Sequence, residues 1–313
     1  MNKNSIFQII RLVAVMLVVL VWSSFAFCGE IHDAAKVGDL AKVKELLKSN
    51  PDLVFSKDNN GQTPLHWAVV YDRIEMAALL VSNKADVNAK DNGGSTPLHT
   101  AAQFNFTNMA TLLLANKAEV NTKDKSNGYT PLHRAAYSHQ LEVAKLLLLN
   151  KAEVDAKDNE GDTPLHIVVA MQIMQRDYSS SFRSSMSNEW KVLYENIAEL
   201  LLANKADINA TNKSGMTPLQ IASTLNFGNE EAVKFLLANN ADANTKDVNG
   251  NTPLIYWVAQ DDTDIIEYLL AHKADVNAKD NDGRTPLSIT ALYKDKKVAE
   301  KVTELLRQHG GHE

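Results

Sequence analysis

Four histidines stand at near-equal intervals along the chain, His66, His99, His133 and His166, each closing a Thr-Pro-Leu-His tetrad. Histidine is the commonest metal ligand and the usual general base, so a periodic set invites both chemistries. Neither has the companions it needs. No cysteine or paired carboxylate keeps a fixed distance from these histidines, and the chain carries a single cysteine, Cys28. In the later copies of the tetrad the fourth position becomes Gln220, Ile255 and Ser288, which a metal site would not tolerate. A structural role tolerates all three, so the histidines are expected to bond turn backbone and tie neighbouring units together. No G-x-S-x-G, H-E-x-x-H, phosphate-binding loop or paired cysteine occurs. Arg176, Asp177 and Tyr178 form the one dense polar cluster outside the recurring frame, and an enzyme would have to be built on them. The expectation is no catalytic residue, no metal ligand and no cofactor.

The elements that carry these residues repeat as well. Thr-Pro-Leu begins at Thr63, Thr96, Thr130, Thr163, Thr217, Thr252 and Thr285, with gaps of 33, 34, 33, 54, 35 and 33 residues. A fixed period in this range means one supersecondary unit stacked along an axis, burying its apolar face against its neighbours. Runs such as Asp58-Asn59-Asn60-Gly61, Asp158 to Gly161 and Asp280 to Gly283 are turn chemistry, with glycine supplying positive φ. Threonine then caps a helix whose first turn takes proline, where a missing N–H costs nothing. Ala101-Ala102 and Ala135-Ala136 let helices approach, and leucine runs such as Leu146 to Leu149 are expected to fill the shared core.

The frame is seen whole in Lys90-Asp91-Asn92-Gly93-Gly94-Ser95-Thr96-Pro97-Leu98-His99-Thr100-Ala101-Ala102, followed by Leu112 to Leu114 and Ala118-Glu119-Val120-Asn121. It resembles the ankyrin repeat, a β-turn plus two antiparallel helices, from about Ile31 to the C-terminus. The resemblance implies an all-α solenoid of stacked helix-turn-helix units joined by β-turn or hairpin loops. It also implies a concave face on which partners touch the two residues after the Ala-Ala pair. Those positions are Val70 and Tyr71, Gln103 and Phe104, Tyr137 and Ser138, Ala170 and Met171, Thr224 and Leu225, Ala259 and Gln260, and Leu292 and Tyr293. Tyr71, Phe104, Tyr137, Met171, Leu225 and Tyr293 would make an aromatic and apolar ladder, with inward packing as the alternative. The family usually has glycine after the second helix, yet here the slot holds Lys84, Lys117, Lys151, Lys205, Asn240 and Lys273. Glycine would be cheaper there by roughly 1 kcal/mol if φ is positive.

Eight units can be counted over residues 31–313, in one domain. Residues 31–60 form an N-terminal cap with Ile31-His32 in place of the tetrad, and 285–313 a C-terminal cap. The 54-residue gap holds an insertion of 21 residues, falling at about 171–196, between two lengthened helices. Its serine-rich middle around Phe182, Met186 and Trp190 is either a docking element or a tolerated loop.

Ahead of the repeats, Lys3 and Arg11 stand at the start of an apolar run from Leu12 to Trp22, followed by Ser24 and Ala26 in an A-x-A-like pattern. This reads as a signal peptide over residues 1–26, with cleavage after Ala26 or Cys28. The alternative is an uncleaved anchor over residues 6–27. The net charge is −6, and removing residues 1–26, whose only charges are Lys3 and Arg11, lowers it by two. A negative array with no basic stripe argues against nucleic acid as a partner, and none is expected.

These features predict a non-enzymatic protein-binding module or scaffold of the periplasm or cell envelope of a bacterium. It would bind a protein of unstated identity, and no small-molecule substrate. The alternatives are a membrane-tethered scaffold or a regulatory subunit of an exported enzyme, and last an enzyme using the inserted segment.

Overall fold

A computed structural model describes residues 29–176, 196–224, 229–260, 262–292 and 295–312, with backbone alone at 171–176. The leader, Cys28, most of the insertion, Leu225 and Tyr293 lie outside these residues, as does the side chain of Met171. The chain falls into two compact units, Met1–Ser126 and Asn127–Glu313. The fold is all-α. Among the described residues there are helices and turns and no strand.

The first unit contains α1 (29–37), α2 (Leu40–Ser49), a 3-10 turn (Pro51–Phe55), α3 (Pro64–Val70), α4 (Ile74–Ser82), α5 (Pro97–Gln103) and α6 (Thr107–Ala115). Local chemistry sets each boundary. Thr63 is the N-cap of α3 and Pro64 its first residue; the Thr63 hydroxyl accepts from the His66 backbone N–H. The helix stops after two turns because Asp72 takes φ 50° and reverses the chain into α4. At the far end of α4, the Lys84 N–H donates to Val81 O and the Ala85 N–H to Leu80 O, a Schellman close. That close demands a left-handed residue, and Lys84 supplies it at φ 69°. Lys117, Lys151, Lys205, Asn240 and Lys273 do the same at φ 66–68°. The positive φ expected of the missing glycines is therefore present, and L-residues carry its strain.

The second unit contains α7 (Pro131–Tyr137), α8 (Leu141–Leu149), α9 (Pro164–Arg176), α10 (196–203), α11 (Pro218–Thr224), α12 (Glu230–Ala238), α13 (Pro253–Ala259), α14 (Thr263–Ala271), α15 (Pro286–Ile289) with a 3-10 turn (Thr290–Leu292), and α16 (Lys296–Gln308). The first helices α3, α5, α7, α11 and α13 are seven residues long, but α9 runs to thirteen, the lengthening expected at the insertion.

Within each unit the core is a column of small and branched side chains. Leu65, Ala68, Val69, Met76, Ala77 and Leu80 of one repeat are at most 1% exposed, and so are Leu98, Ala101, Met109 and Leu113 of the next. The leucine run corrects the expectation made of it. Of Leu146 to Leu149 only Leu147 is buried, the two flanking it are half-buried, and Leu149 is 81% exposed. A helix turns about 100° per residue, so four consecutive leucines cannot share one buried face. Val143, Ala144 and Leu147 occupy that face.

Turn tips join neighbouring repeats by backbone hydrogen bonds. Asn92 N donates to Asn60 O at 2.9 Å and Lys125 N to Gly93 O at 2.8 Å in the first unit. In the second, Asn159 N–Asn127 O (2.8 Å), Lys213 N–Glu160 O (2.9 Å) and Asn281 N–Asn249 O (2.9 Å) continue the pattern. Gly61 shows why the tip needs glycine. Its φ is 74°, and an added Cβ would stand 2.8 Å from the Asn92 backbone nitrogen.

Candidate protein-binding face

The periodic histidines are buried ties. His66 Nδ1 lies 3.1 Å from the Thr63 N–H, which donates to it, and Nε2 lies 3.2 Å from Ser95 O in the next repeat. Nδ1 must therefore be the unprotonated nitrogen, with Nε2–H donating to the carbonyl. His133 reaches Asp162 O at 3.1 Å and His166 reaches Met216 O at 3.0 Å in the same way. Burial pushes the His66 and His166 pKa values below the ordinary histidine value, against the carbonyl bonds that raise them. Gln220 reproduces both halves of the tie. Its Oε1 accepts from Thr217 N at 2.9 Å, and its Nε2 donates to Asn251 O at 2.9 Å. Ser288 keeps only the cap, accepting from Thr285 N at 2.9 Å. Among the described residues no group of three His, Cys, Asp or Glu side chains could hold a metal ion.

A second recurring arrangement was invisible in the repeat frame. The Asp58 carboxylate accepts from Asn60 N and Gln62 N through Oδ1, and from Trp67 Nε1 through Oδ2 at 2.9 Å. Burial pushes its pKa up, but these donors outweigh that and hold it below the usual aspartate value. Asp247 makes the matching bonds in the second unit, its Oδ1 accepting from Asn249 N and Asn251 N and its Oδ2 from the Tyr256 hydroxyl. Burial and that bond push the Tyr256 pKa up to about 12. Each pair locks an aromatic ring of a first helix against its own turn. The spacing of nine residues between acid and ring was the available signal.

In the first unit the locked ring begins an aromatic strip. Trp67 stacks on Tyr71, one helical turn away, with ring centroids 6.1 Å apart, and the Lys36 ammonium sits 4.1 Å above the indole. Phe104 stacks on Phe106 at 5.8 Å. Tyr71 is 49% exposed and Phe104 52%. Both are C-caps, five residues beyond the tetrad histidine. Val37 stands in that slot relative to His32 and is 70% exposed, so the first unit presents three successive apolar residues at one register. Sequence reasoning missed Val37 because it took residues 31–60 only as a polar cap.

The structure separates the other expected contacts. Val70 and Gln103 are half-buried beside their exposed neighbours. Tyr137 is 41% exposed, but it is the last residue of α7, one position earlier than Tyr71 and Phe104 occupy in their repeats. Ser138 holds the equivalent slot there and is half-buried. Pairing the two residues after each Ala-Ala had hidden this offset. Tyr137 packs at 6.4 Å from Tyr129, over which the Arg134 guanidinium lies at 5.3 Å. Gln260 is half-buried, and its amide donates to Ser223 O at 2.6 Å and Tyr256 O at 3.2 Å.

Comparison with known proteins agrees with this architecture. A family model described as ankyrin repeats in three copies matches residues 31–124, 118–175, 190–247 and 223–312. A single-repeat model matches residues 160–213, across the insertion. The chain is also similar to the "Probable 26S proteasome regulatory subunit p28" of Saccharomyces cerevisiae, 41% identical over 46 residues. That match covers 15% of this chain and 20% of the yeast protein, so it spans about a fifth of that relative.

Proposed function

The chain belongs to the ankyrin-repeat family, and from that membership and its exposed ladder we propose that it is a non-enzymatic protein-binding module. The observation that carries the reading is the register of Val37, Tyr71 and Phe104, exposed in three successive repeats of a rigidly bonded unit. Aromatic residues held on such a scaffold lose little entropy on binding, which makes them efficient anchors. Lys36 and Trp67 extend the strip toward the turn. In the second unit Tyr137, with Tyr129 and Arg134 beneath it, forms a separate candidate contact.

The module works outside the cytoplasm in this proposal, in the periplasm or cell envelope of a bacterium. Support comes from the basic start, the apolar run Leu12 to Trp22 and the small residues before Cys28. The run from Ile6 to Phe27 favours a second reading, a scaffold tethered by an uncleaved leader. Fractionation of the source cells with mass spectrometry of the mature N-terminus separates the two.

Binding is tested by comparing the proteins captured from source-cell extract by the wild type and by a Tyr71→Ser/Phe104→Ser variant. Both side chains are about half exposed, so the variant should keep its melting temperature within a few degrees while losing the specific partner. A variant that unfolds, or that still captures the same partner, refutes the assignment.

A further inference from the structure

The C-terminal end of the second unit leaves open several slots that the preceding repeats bury. The slot three residues past the tetrad's last position is fully buried in Val169, Ser223 and Val258, and exposed in Ala291. The second helix repeats the pattern. Counting from the capping aspartates, Ile266 and Leu270 of α14 are buried, while their counterparts in α16, Ala299 and Thr303, are only partly covered. Between the 3-10 turn and α16 these residues line a groove of about 250 Å³ with Thr290, Lys296 and Glu300. A hydrogen bond between the Thr290 and Thr303 hydroxyls at 2.9 Å closes its floor. Leu292, adjoining Ala291, is 70% exposed.

The charges beside the groove state what could cover it. Lys296 and Glu300 are exposed, one helical turn apart, and neither has an ion-pair partner among the described residues. Lys301, by contrast, turns back to the Thr263 hydroxyl of α14 at 3.0 Å. One positive and one negative charge on a single helix face form a self-complementary pair. A second α16 laid antiparallel, with the two-fold axis at the level of Val298, sets Lys296 against the partner's Glu300, and Glu300 against the partner's Lys296. The small side chains Ala291, Ala299 and Thr303 let the two helices approach, and Leu292 adds apolar area beside them. The chain's net charge of −6 opposes indiscriminate self-association, whereas the Lys296 and Glu300 pair is neutral and matches its own image under a two-fold rotation.

We propose that α16 and the groove beside it form a two-fold interface through which the protein dimerises, leaving the aromatic strip of the first unit to other partners. The test is the mass of the full chain in solution, by light scattering after size exclusion over a series of concentrations. The wild type should run as a dimer. Lys296→Glu and Glu300→Lys each place like charges opposite one another and should weaken the dimer roughly tenfold or more. The double variant Lys296→Glu/Glu300→Lys exchanges the charges and should restore it. Circular dichroism should be unchanged in all three, since both side chains are exposed. A wild type that is monomeric throughout, a dimer indifferent to the single substitutions, or a double variant that stays dissociated overturns the proposal.

Discussion

Replacing His66 by leucine and by glutamine separates the tie between repeats from simple packing. Leucine fills much the same space but removes an acceptor for the Thr63 N–H and a donor to Ser95 O. Thr63 is 4% exposed and His66 2%, so water cannot replace the lost acceptor. A buried group left without a partner costs about 1–3 kcal/mol, and the Ser95 carbonyl, at a half-buried residue, sits at the low end of that range. The leucine variant should therefore lose about 2–4 kcal/mol. Glutamine should cost under about 1 kcal/mol, mostly rotamer entropy, because Gln220 already makes both bonds in its own repeat. A pH arm sharpens the test. Burial holds the folded pKa of His66 below the ordinary 6.5, so between the two values the unfolded chain binds more protons than the native one. Its contribution is thus complete above pH 6.5 and is lost as pH falls from there through the folded value. Glutamine does not titrate, so the advantage of wild type over the glutamine variant should shrink on acidification. Urea unfolding followed by circular dichroism on either side of pH 6.5 measures the global effect. Hydrogen exchange at the Thr63 amide measures the local one, which matters because repeat arrays can open in parts. A leucine variant as stable as the glutamine one, or a difference from wild type that ignores pH, would refute the reasoning.

Leu113, fully buried in α6, should cost about 2–5 kcal/mol when cut to alanine, read as a lower urea midpoint. Lys117→Gly should instead stabilise by about 0.5 kcal/mol. It relieves φ 68°, keeps the bonds of the helix close, and is partly offset by the looser unfolded chain and the lost charge at the helix end. Gly61→Ala should destabilise by about 1–3 kcal/mol, since its Cβ meets the Asn92 backbone and its φ is 74°. A melting temperature equal to wild type would show that the turn tip yields freely.

Much of the unit was legible because its rules are short-range. The threonine cap, the proline at N1, the glycine tip and the left-handed residue after the second helix each follow from side chains within a few positions. Even the histidine tie was foreseeable, since a residue that tolerates replacement by Gln220 but has no ligand companions has to bond backbone. The same short-range logic failed where two residues shared one description. Tyr71, Phe104 and Tyr137 looked like one ladder, yet Tyr137 sits one position earlier, which on a helix swings it about 100°. The clasps of Trp67 on Asp58 and Tyr256 on Asp247 went unread because each acid and ring belong to different parts of the repeat.

What the residues alone settle is the repeating unit, its family and the identity of its caps, because these rest on covalent geometry and on hydrogen bonds between near neighbours. What needed packed coordinates is the fate of each apolar side chain. Leu147 is buried and Leu149 is 81% exposed, though both lie in one run of leucines. Ala291 is open where Val258, in the same slot, is buried. Val37 joins Tyr71 and Phe104 only once the repeats are set in register. Burial depends on the residues that the adjoining repeat brings, some 33 positions away, and a solenoid creates that neighbour only by stacking.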